Sequence, residues 1–411
     1  MAYLISKPSV SPSGRIILPS SKSISNRLLI IDALTGSGGV LNNLAESDDT
    51  LLMKRALQTR NMEKNTGPAG TAMRFLTAFY AAGNQEVILT GSERMKKRPI
   101  GELVGALVKM GADISYLGEP GFPPLKIRGR TLKGGSLSVD GSISSQFISA
   151  LLMIAPMIKN GLDLELQGEL VSASYIRMTL ELMRQWGAEY AWKDNRINIP
   201  EGRYQSRSYT VESDWSAASY WYAITALADK ASFELPGLFK NSLQGDAVVS
   251  ELFSKLAVKT EYLQEGVRIS RNADGKTPEF IQFDFTLCPD LVQTLVPVLC
   301  ASGIKFHFTG TRTLLIKETN RIFALQRELK KFGYNLKGGR DGSFLEWSGE
   351  VSRKDPDGIV ETYHDHRMAM AFAPLCLKFG KIVIKDPEVV TKSYPAYWSE
   401  LKRAGFGIDE I

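Results

Sequence analysis

Cysteine and histidine are scarce, with three of each in 411 residues. Cys288, Cys300 and Cys376 are odd in number, far apart and set in apolar contexts such as Pro297-Val298-Leu299-Cys300. That excludes a disulfide framework and points to buried thiols. His307, His364 and His366 form no Cys/His cluster with metal-ligand spacing, so no structural or catalytic metal is expected. No apolar run reaches the length of a membrane span and the N-terminus has no apolar h-region, which makes a cytoplasmic location the expectation. The Gly-x4-Gly-Lys-Ser/Thr phosphate loop is missing. The net charge of +6 is not gathered in basic runs interleaved with aromatics, which argues against a nucleic-acid partner. The cations sit at turns beside glycine and serine, a pattern suited to small anions.

What the chain has is repetition. A short strand, a turn rich in glycine or charge, and an amphipathic helix recur six times, opening near Leu41, Val87, Leu162, Ser232, Phe306 and Lys381. In the second copy Val87-Ile88-Leu89-Thr90-Gly91 reads as strand and turn. Ile100, Leu103, Val104, Leu107 and Val108 follow at the spacing of a one-faced helix, and Gly111 closes it. The third copy ends on Trp186-Gly187, the fifth on Phe332-Gly333 and the sixth on Ala404-Gly405. From the second copy onward the starts lie roughly 70 to 75 residues apart, too long for common solenoids and right for a small layered α/β module. The first copy reaches the second in only roughly 47 residues, so it lacks about 25. With 44% hydrophobic and 23% charged residues, a chain of this length forms a soluble protein of two domains, three repeats in each.

Chemistry gathers at the starts of helices. Ser20-Ser21-Lys22-Ser23-Ile24-Ser25-Asn26-Arg27 combines hydroxyls and two cations at a helix N-terminus, either an anion cradle or a serine-rich cap. Ala69-Gly70-Thr71-Ala72-Met73-Arg74 is a small-residue turn that suits close ligand approach or helix packing. Arg94-Met95-Lys96-Lys97-Arg98 places four cations before a helix, where the macrodipole opposes them unless an anion is held. Ser142-Ile143-Ser144-Ser145-Gln146-Phe147 is another hydroxyl-rich helix start. In the second half, Asp290 opens an apolar helix, as an acid/base or simply as a stabilising N-terminal carboxylate. Lys317-Glu318-Thr319-Asn320-Arg321, Asp365-His366-Arg367 and Thr391-Lys392-Ser393 repeat the pattern. Lys22, Arg27, Arg98, Lys317, Arg321, Arg367 and Lys392 make seven cations, more than one phosphate needs and enough for two phosphorylated or carboxylated substrates.

In order and spacing, Ser21 to Arg27, Ala69 to Arg74, Arg98-Pro99-Ile100, Ser144-Ser145-Gln146, Lys317 to Arg321 and Asp365-His366-Arg367-Met368-Ala369 resemble the EPSP synthase family of enolpyruvyl transferases over nearly the whole chain. The resemblance implies an α/β, two-domain enolpyruvyl-transferase-like fold, each domain three βαβαββ modules about a pseudo-threefold axis, with the first module truncated here. One domain takes residues 1–20 and 213–411, the other 21–212, with a hinged cleft between them. The implied substrates are shikimate-3-phosphate and phosphoenolpyruvate, with neither metal nor organic cofactor, and a monomer is expected.

Position by position, Lys22, Ser23, Arg27, Ser144, Ser145, Gln146, Ser172, Tyr175, Asp290 and Lys317 are similar to the shikimate-3-phosphate set. Lys22, Gly70, Arg98, Gln146, Arg321, Arg367 and Lys392 are similar to the phosphoenolpyruvate set. Asp290 matches the acid/base for the attacking 5-hydroxyl, Glu318 a residue near the enolpyruvyl methylene, and Lys22 the third catalytic group.

The chain departs from the family at Pro68 and at Thr313, where the family carries asparagines, and in the short first module, with Arg60 to Pro68 expected as a mobile connection. Two other readings share the fold. Transfer to UDP-N-acetylglucosamine commonly goes with a cysteine in the loop Ser92 to Arg98, which has none here. A non-catalytic anion-binding relic sits poorly with the joint presence of Lys22, Asp290 and Glu318.

Overall fold

Alternation is the simplest rule in this chain, and four strands obey it in the same way. In Glu86–Thr90, Ser232–Pro236, Lys305–Thr309 and Lys381–Lys385 the second and fourth residues are buried and the first is exposed. Pairs such as Phe306/Phe308 and Ile382/Ile384 therefore face one side of a half-covered sheet. The computed structural model describes residues 1–142, 144–168, 170–352 and 358–411.

Among the described residues these strands organise five four-stranded sheets and one two-stranded pair. Each larger sheet has the same plan. A first strand lies parallel to the second, the second is antiparallel to the fourth, and the fourth is antiparallel to the third. Thus Glu63–Asn65 pairs with Glu86–Thr90, which pairs with Leu125–Arg128, which pairs with Asp113–Tyr116. All six repeat starts read from the sequence fall in or at the edge of second strands, from Leu41–Asn42 to Lys381–Lys385.

The truncated copy is the two-stranded pair, Leu41–Asn42 parallel to Tyr209–Thr210, which lacks the closing hairpin. The stretch expected as a mobile connection contains a strand. Glu63–Asn65 within it is an edge strand, Lys64 is buried, and Thr66 N donates to Thr90 O at 2.8 Å. The parallel ladder with Glu86–Thr90 satisfies the backbone groups on its inner side.

Each complete module carries two kinds of helix. The helix between the two parallel strands is buried almost all round: ten of twelve residues in Gly70–Ala81, eleven of thirteen in Trp215–Leu227 and ten of eleven in Val292–Ser302. A helix apolar on every face belongs in a core. The helix after the second strand is amphipathic, as in Gly101–Lys109, Ala173–Gln185 and Arg321–Lys331. Gly111, Gly187, Gly333 and Gly405 end these outer helices with φ between 87° and 96°, the left-handed exit that glycine takes without a Cβ clash.

Two compact units result. One comprises Met1–Pro19 with Glu212–Ile411, the other Ser20–Val211. In the first unit the strand Ala2–Ser6 lies between Lys381–Lys385 and Gly407–Glu410, antiparallel to both. Ser13–Arg15 supplies the parallel first strand beside Ser232–Pro236. Glu212 belongs here because its carboxylate accepts from Ser242 Oγ at 2.5 Å and Gln244 Nε2 at 2.8 Å.

Candidate active site

Within Ser20–Val211 the serine-rich segment caps its own helix. Ser21 is the N-cap of Lys22–Thr35, and its hydroxyl accepts from Ile24 N at 3.5 Å. The cap reading of this serine holds, while the two cations on the same turn do something else. Lys22 Nζ lies 3.4 Å from Asp49 Oδ2, a carboxylate buried in the first turn of the helix Asp48–Gln58. Arg27 is buried. It donates from Nε to Thr179 Oγ1 at 2.7 Å, from Nη1 to Ser23 O at 2.9 Å, and from Nη2 to Ser149 Oγ at 3.1 Å and Tyr175 O at 3.4 Å. Its guanidinium also lies 5.4 Å from the Phe75 ring and 5.7 Å from Tyr175. These partners are neutral, so burial dominates and pushes the guanidinium down to about 10, with Tyr175 acting weakly in the other direction.

A second group forms at Gly70, the first residue of its helix. A Cβ there would stand 2.5 Å from Arg98 Nη1, so the glycine is what lets the guanidinium lie against the helix start. Arg74, one turn on, is buried and bonds Gly70 O at 3.3 Å and Pro99 O at 2.9 Å, clamping the loop that carries Arg98. Burial pushes Arg74 down to about 9, and the charge of Arg98 adds to this. The other cations of the cluster are not all at this turn: Lys96 pairs with exposed Glu93 at 2.7 Å. Gln146 reaches back to Thr71 Oγ1 at 3.1 Å. Ser144 caps the helix Ser145–Ile154, its hydroxyl accepting from Gln146 N at 3.3 Å, and Ser145 is half-buried beside it. Ile143 lies outside the described residues. Ser172 is buried in the left-handed region (φ 56°), and its carbonyl accepts from Tyr175 N at 3.1 Å.

In the other unit the remaining predicted residues form one network centred on Arg321. This side chain is 2% exposed, and it bonds Asp365 Oδ2 at 2.8 Å, Asp290 Oδ1 at 2.8 Å and Glu318 Oε2 at 3.0 Å. Asp290 also meets Arg367 Nη2 at 3.0 Å and Lys317 Nζ at 3.6 Å, and Glu318 meets Lys392 Nζ at 2.8 Å. Burial acts first on Asp290 and pushes it up. Arg367, Lys317 and Arg321 together outweigh that and hold the carboxyl well below the usual carboxylate range. Asp290 lies in the helical turn Pro289–Leu291 that leads into Val292–Ser302, so its carboxylate also stands at a helix start. Asp365 caps His366–Phe372 through Arg367 N at 2.9 Å. Behind Arg367, its Nη2 meets Ser216 Oγ at 3.3 Å, and that hydroxyl donates to the buried carboxylate of Asp246. Burial, with the charge of Asp290, pushes Asp246 up to about 6.

The sequence model of the EPSP synthase family, 3-phosphoshikimate 1-carboxyvinyltransferase, matches residues 54–401. The chain belongs to this family. A 3-phosphoshikimate 1-carboxyvinyltransferase of Bacteroides fragilis (strain YCH46) is 49% identical over 409 residues, 99% of both chains. That of Sulfurovum sp. (strain NBC37-1) is 38% identical, with 96% of this chain and 97% of the relative covered. A solved EPSP synthase from Acinetobacter baumannii superposes over 100% of both chains with a TM-score of 0.80 at 23% identity, which shows a shared fold.

For this EPSP synthase family member, Asp290, Lys317, Glu318, Arg321, Arg367 and Lys392 stand together in one unit. In the other unit the predicted residues fall into three adjoining sets: Lys22; Ser23, Arg27 and Tyr175; and Gly70 and Arg98, with Gln146 bonded to Thr71. Asp49, Asp246, Ser216 and Arg74 were not singled out by sequence reasoning. Arg74 was visible inside the Ala69–Arg74 segment. Asp246 sits on the short turn Gly245–Val248, which matches no pattern. Of the two departures, Pro68 is exposed in the turn before Gly70, and the buried Thr313 Oγ1 has no hydrogen-bond partner.

Proposed function

We infer that this chain transfers the enolpyruvyl group of phosphoenolpyruvate to the 5-hydroxyl of shikimate-3-phosphate and releases phosphate, with the roles divided by unit. Family membership supports the reaction. The observation that carries the site is that both candidate acid/base carboxylates, Asp290 and Glu318, are pinned by cations in one network. Asp290 takes the proton of the attacking hydroxyl. Glu318, beside Lys392, handles the proton that enters and leaves the methylene carbon. Arg321, Arg367 and Lys392 from this unit, and Arg98, Gly70 and Gln146 from the other, receive the phosphate and carboxylate of phosphoenolpyruvate. Lys22, Ser23, Arg27, Ser144, Ser145, Gln146, Ser172 and Tyr175, with Lys317, receive shikimate-3-phosphate.

The ion pairs give Asp290 a reason to wait. While three cations hold its carboxylate, it is a poor base. Anionic substrates compete for Arg321, Arg367 and Lys317, and each cation drawn away raises the basicity of Asp290. The base is therefore strongest when both substrates are in place. The same cations then stabilise the charge that develops on the departing phosphate. Buried free thiols at Cys288, Cys300 and Cys376 support a reducing, cytoplasmic setting.

Phosphate release measured with shikimate-3-phosphate and phosphoenolpyruvate tests the reaction directly. Release that requires UDP-N-acetylglucosamine as acceptor instead overturns it. Lys22→Ala should weaken shikimate-3-phosphate binding by about 1.5 to 3 kcal/mol, the scale of a charged hydrogen bond. Calorimetry giving unchanged affinity takes Lys22 out of the cradle. Gly70→Ala puts a methyl group 2.5 Å from Arg98 Nη1. The guanidinium must move, and KM for phosphoenolpyruvate should rise roughly tenfold with shikimate-3-phosphate binding little changed. Equal KM values in mutant and wild type show that Arg98 does not act from that position.

A further inference from the structure

Two consecutive residues just before Asp365 hold a backbone conformation that side chains avoid. Tyr363 has φ 54° and His364 φ 56°, and neither is glycine or asparagine. Such residues persist where the surroundings over-determine them. Here the turn has its own bond, Asp365 N donating to Thr362 O at 2.9 Å, and is anchored besides by one carboxylate. Glu328 is fully buried on the helix Arg321–Lys331, and it accepts from Tyr363 Oη at 2.5 Å, Glu361 N at 3.0 Å and Lys331 Nζ at 2.6 Å. The same helix grips the chain again at its first residue, where Arg321 bonds Asp365. Segment 361–365 is thus fastened at both ends to one helix, with the left-handed turn between the fastenings. Directly beyond it, Asp365 starts the helix from which Arg367 reaches Asp290.

We propose that Glu328 and Tyr363 are positioning residues for the transfer reaction: they hold the turn at 363–364 so that Arg367 is aimed at Asp290 and at the anionic group of phosphoenolpyruvate. The proposal rests on the reading of Arg367 as a phosphoenolpyruvate ligand. The groups that bond Glu328 belong to Tyr363, Glu361 and Lys331, none of which is assigned to substrate. Without the Glu328 anchor the turn keeps only its own bond from Asp365 N to Thr362 O and the Arg321–Asp365 pair at one end, and relaxation toward a right-handed conformation would rotate the start of the Arg367 helix.

The test compares KM for both substrates in phosphate-release assays of wild type, Tyr363→Phe, Tyr363→Phe/His364→Gly, Arg367→Lys and Tyr363→Phe/Arg367→Lys. Tyr363→Phe, which keeps the ring and removes the hydroxyl, should raise KM for phosphoenolpyruvate about fivefold or more, with KM for shikimate-3-phosphate within about twofold of wild type. Glycine adopts the left-handed turn without an anchor, so adding His364→Gly should bring KM for phosphoenolpyruvate back to within about twofold. In the Arg367→Lys background the loss of the hydroxyl should add less than about twofold, because the two residues act through one group.

Unchanged KM, an equal rise for both substrates, failure of His364→Gly to rescue, or full additivity with Arg367→Lys each overturns the proposal. If Arg367→Lys raises KM and Tyr363→Phe does not, only the positioning role falls. If Arg367→Lys leaves KM for phosphoenolpyruvate unchanged, the ligand reading falls and the proposal with it. Should Tyr363→Phe not fold, Glu328→Gln gives the same decision. One amide oxygen cannot serve three donors, so the anchor weakens, and a selective rise in KM for phosphoenolpyruvate supports the role where none, or an equal rise for both, overturns it.

Discussion

Asp290→Asn should lower turnover by about 10²- to 10⁴-fold, the range for loss of a positioned acid/base, while both substrates still bind. The substitution keeps the shape of the side chain and some of its hydrogen-bonding, and it removes the proton acceptor. Binding should not weaken, because Arg321, Arg367 and Lys317 lose a competing carboxylate and face the substrate anions alone. Initial rates at saturation together with calorimetric affinities check both halves of the expectation. Normal specific activity in the folded fraction would assign Asp290 a purely structural part, as the carboxylate at the start of the helical run into Val292–Ser302.

Arg321→Ala should be the most destabilising single change in the network, at about 3 to 5 kcal/mol, because it strips a buried cation from between three carboxylates. Asp365 is fully buried, and Asp290 and Glu318 are 14% and 17% exposed, so water replaces the lost partner poorly. The sign with pH follows from Asp290. A carboxyl held below its ordinary value contributes stability above its unfolded pKa, near 3.9, and loses it as pH falls through the folded value. The gap between wild type and Arg321→Ala should therefore be widest near neutrality and narrow once pH drops below about 4. Chemical denaturation at two pH values measures it. A gap that stays the same at both pH values would mean that Arg321 stabilises the fold by packing alone.

The second strand and outer helix of each module could be read from the sequence because each obeys a single period. Phe306 and Phe308 alternate with exposed neighbours, and the outer helices carry one apolar stripe. Inner helices such as Val292–Ser302 and His366–Phe372 were found by their polar starts, whereas Trp215–Leu227 was not read as a helix: nearly every side chain in it is buried, so no stripe exists to reveal a face. The shortest first strands were hidden by brevity. Glu63–Asn65 and Ile359–Val360 are too short to show alternation, and only their pairing makes them strands. That is why Arg60 to Pro68 looked like a connection.

The cations of the site were legible because they sit in segments with a distinctive order of residue types. Asp290, Glu318 and Asp365 were legible with them, but Asp49 and Asp246 were not. Asp49 meets Lys22 from 27 residues away, and Asp246 reaches Arg367 through Ser216. Such pairings are settled by tertiary packing, and a linear pattern holds no trace of them.

The strand Ala2–Ser6 carries a consequence for how the chain is made. Both of its neighbours in the sheet, Lys381–Lys385 and Gly407–Glu410, are made long after it. At roughly 5 to 20 residues per second, some 375 residues of synthesis keep it waiting for about 20 to 75 s. The strands of Ser20–Val211 pair within their own stretch among the described residues, so they can complete their ladders during that wait. The unit of Met1–Pro19 with Glu212–Ile411 cannot. Its strand Ala2–Ser6 stays an unpaired, β-prone edge until Lys381–Lys385 and Gly407–Glu410 have been made, and during that interval it is exposed to misassociation.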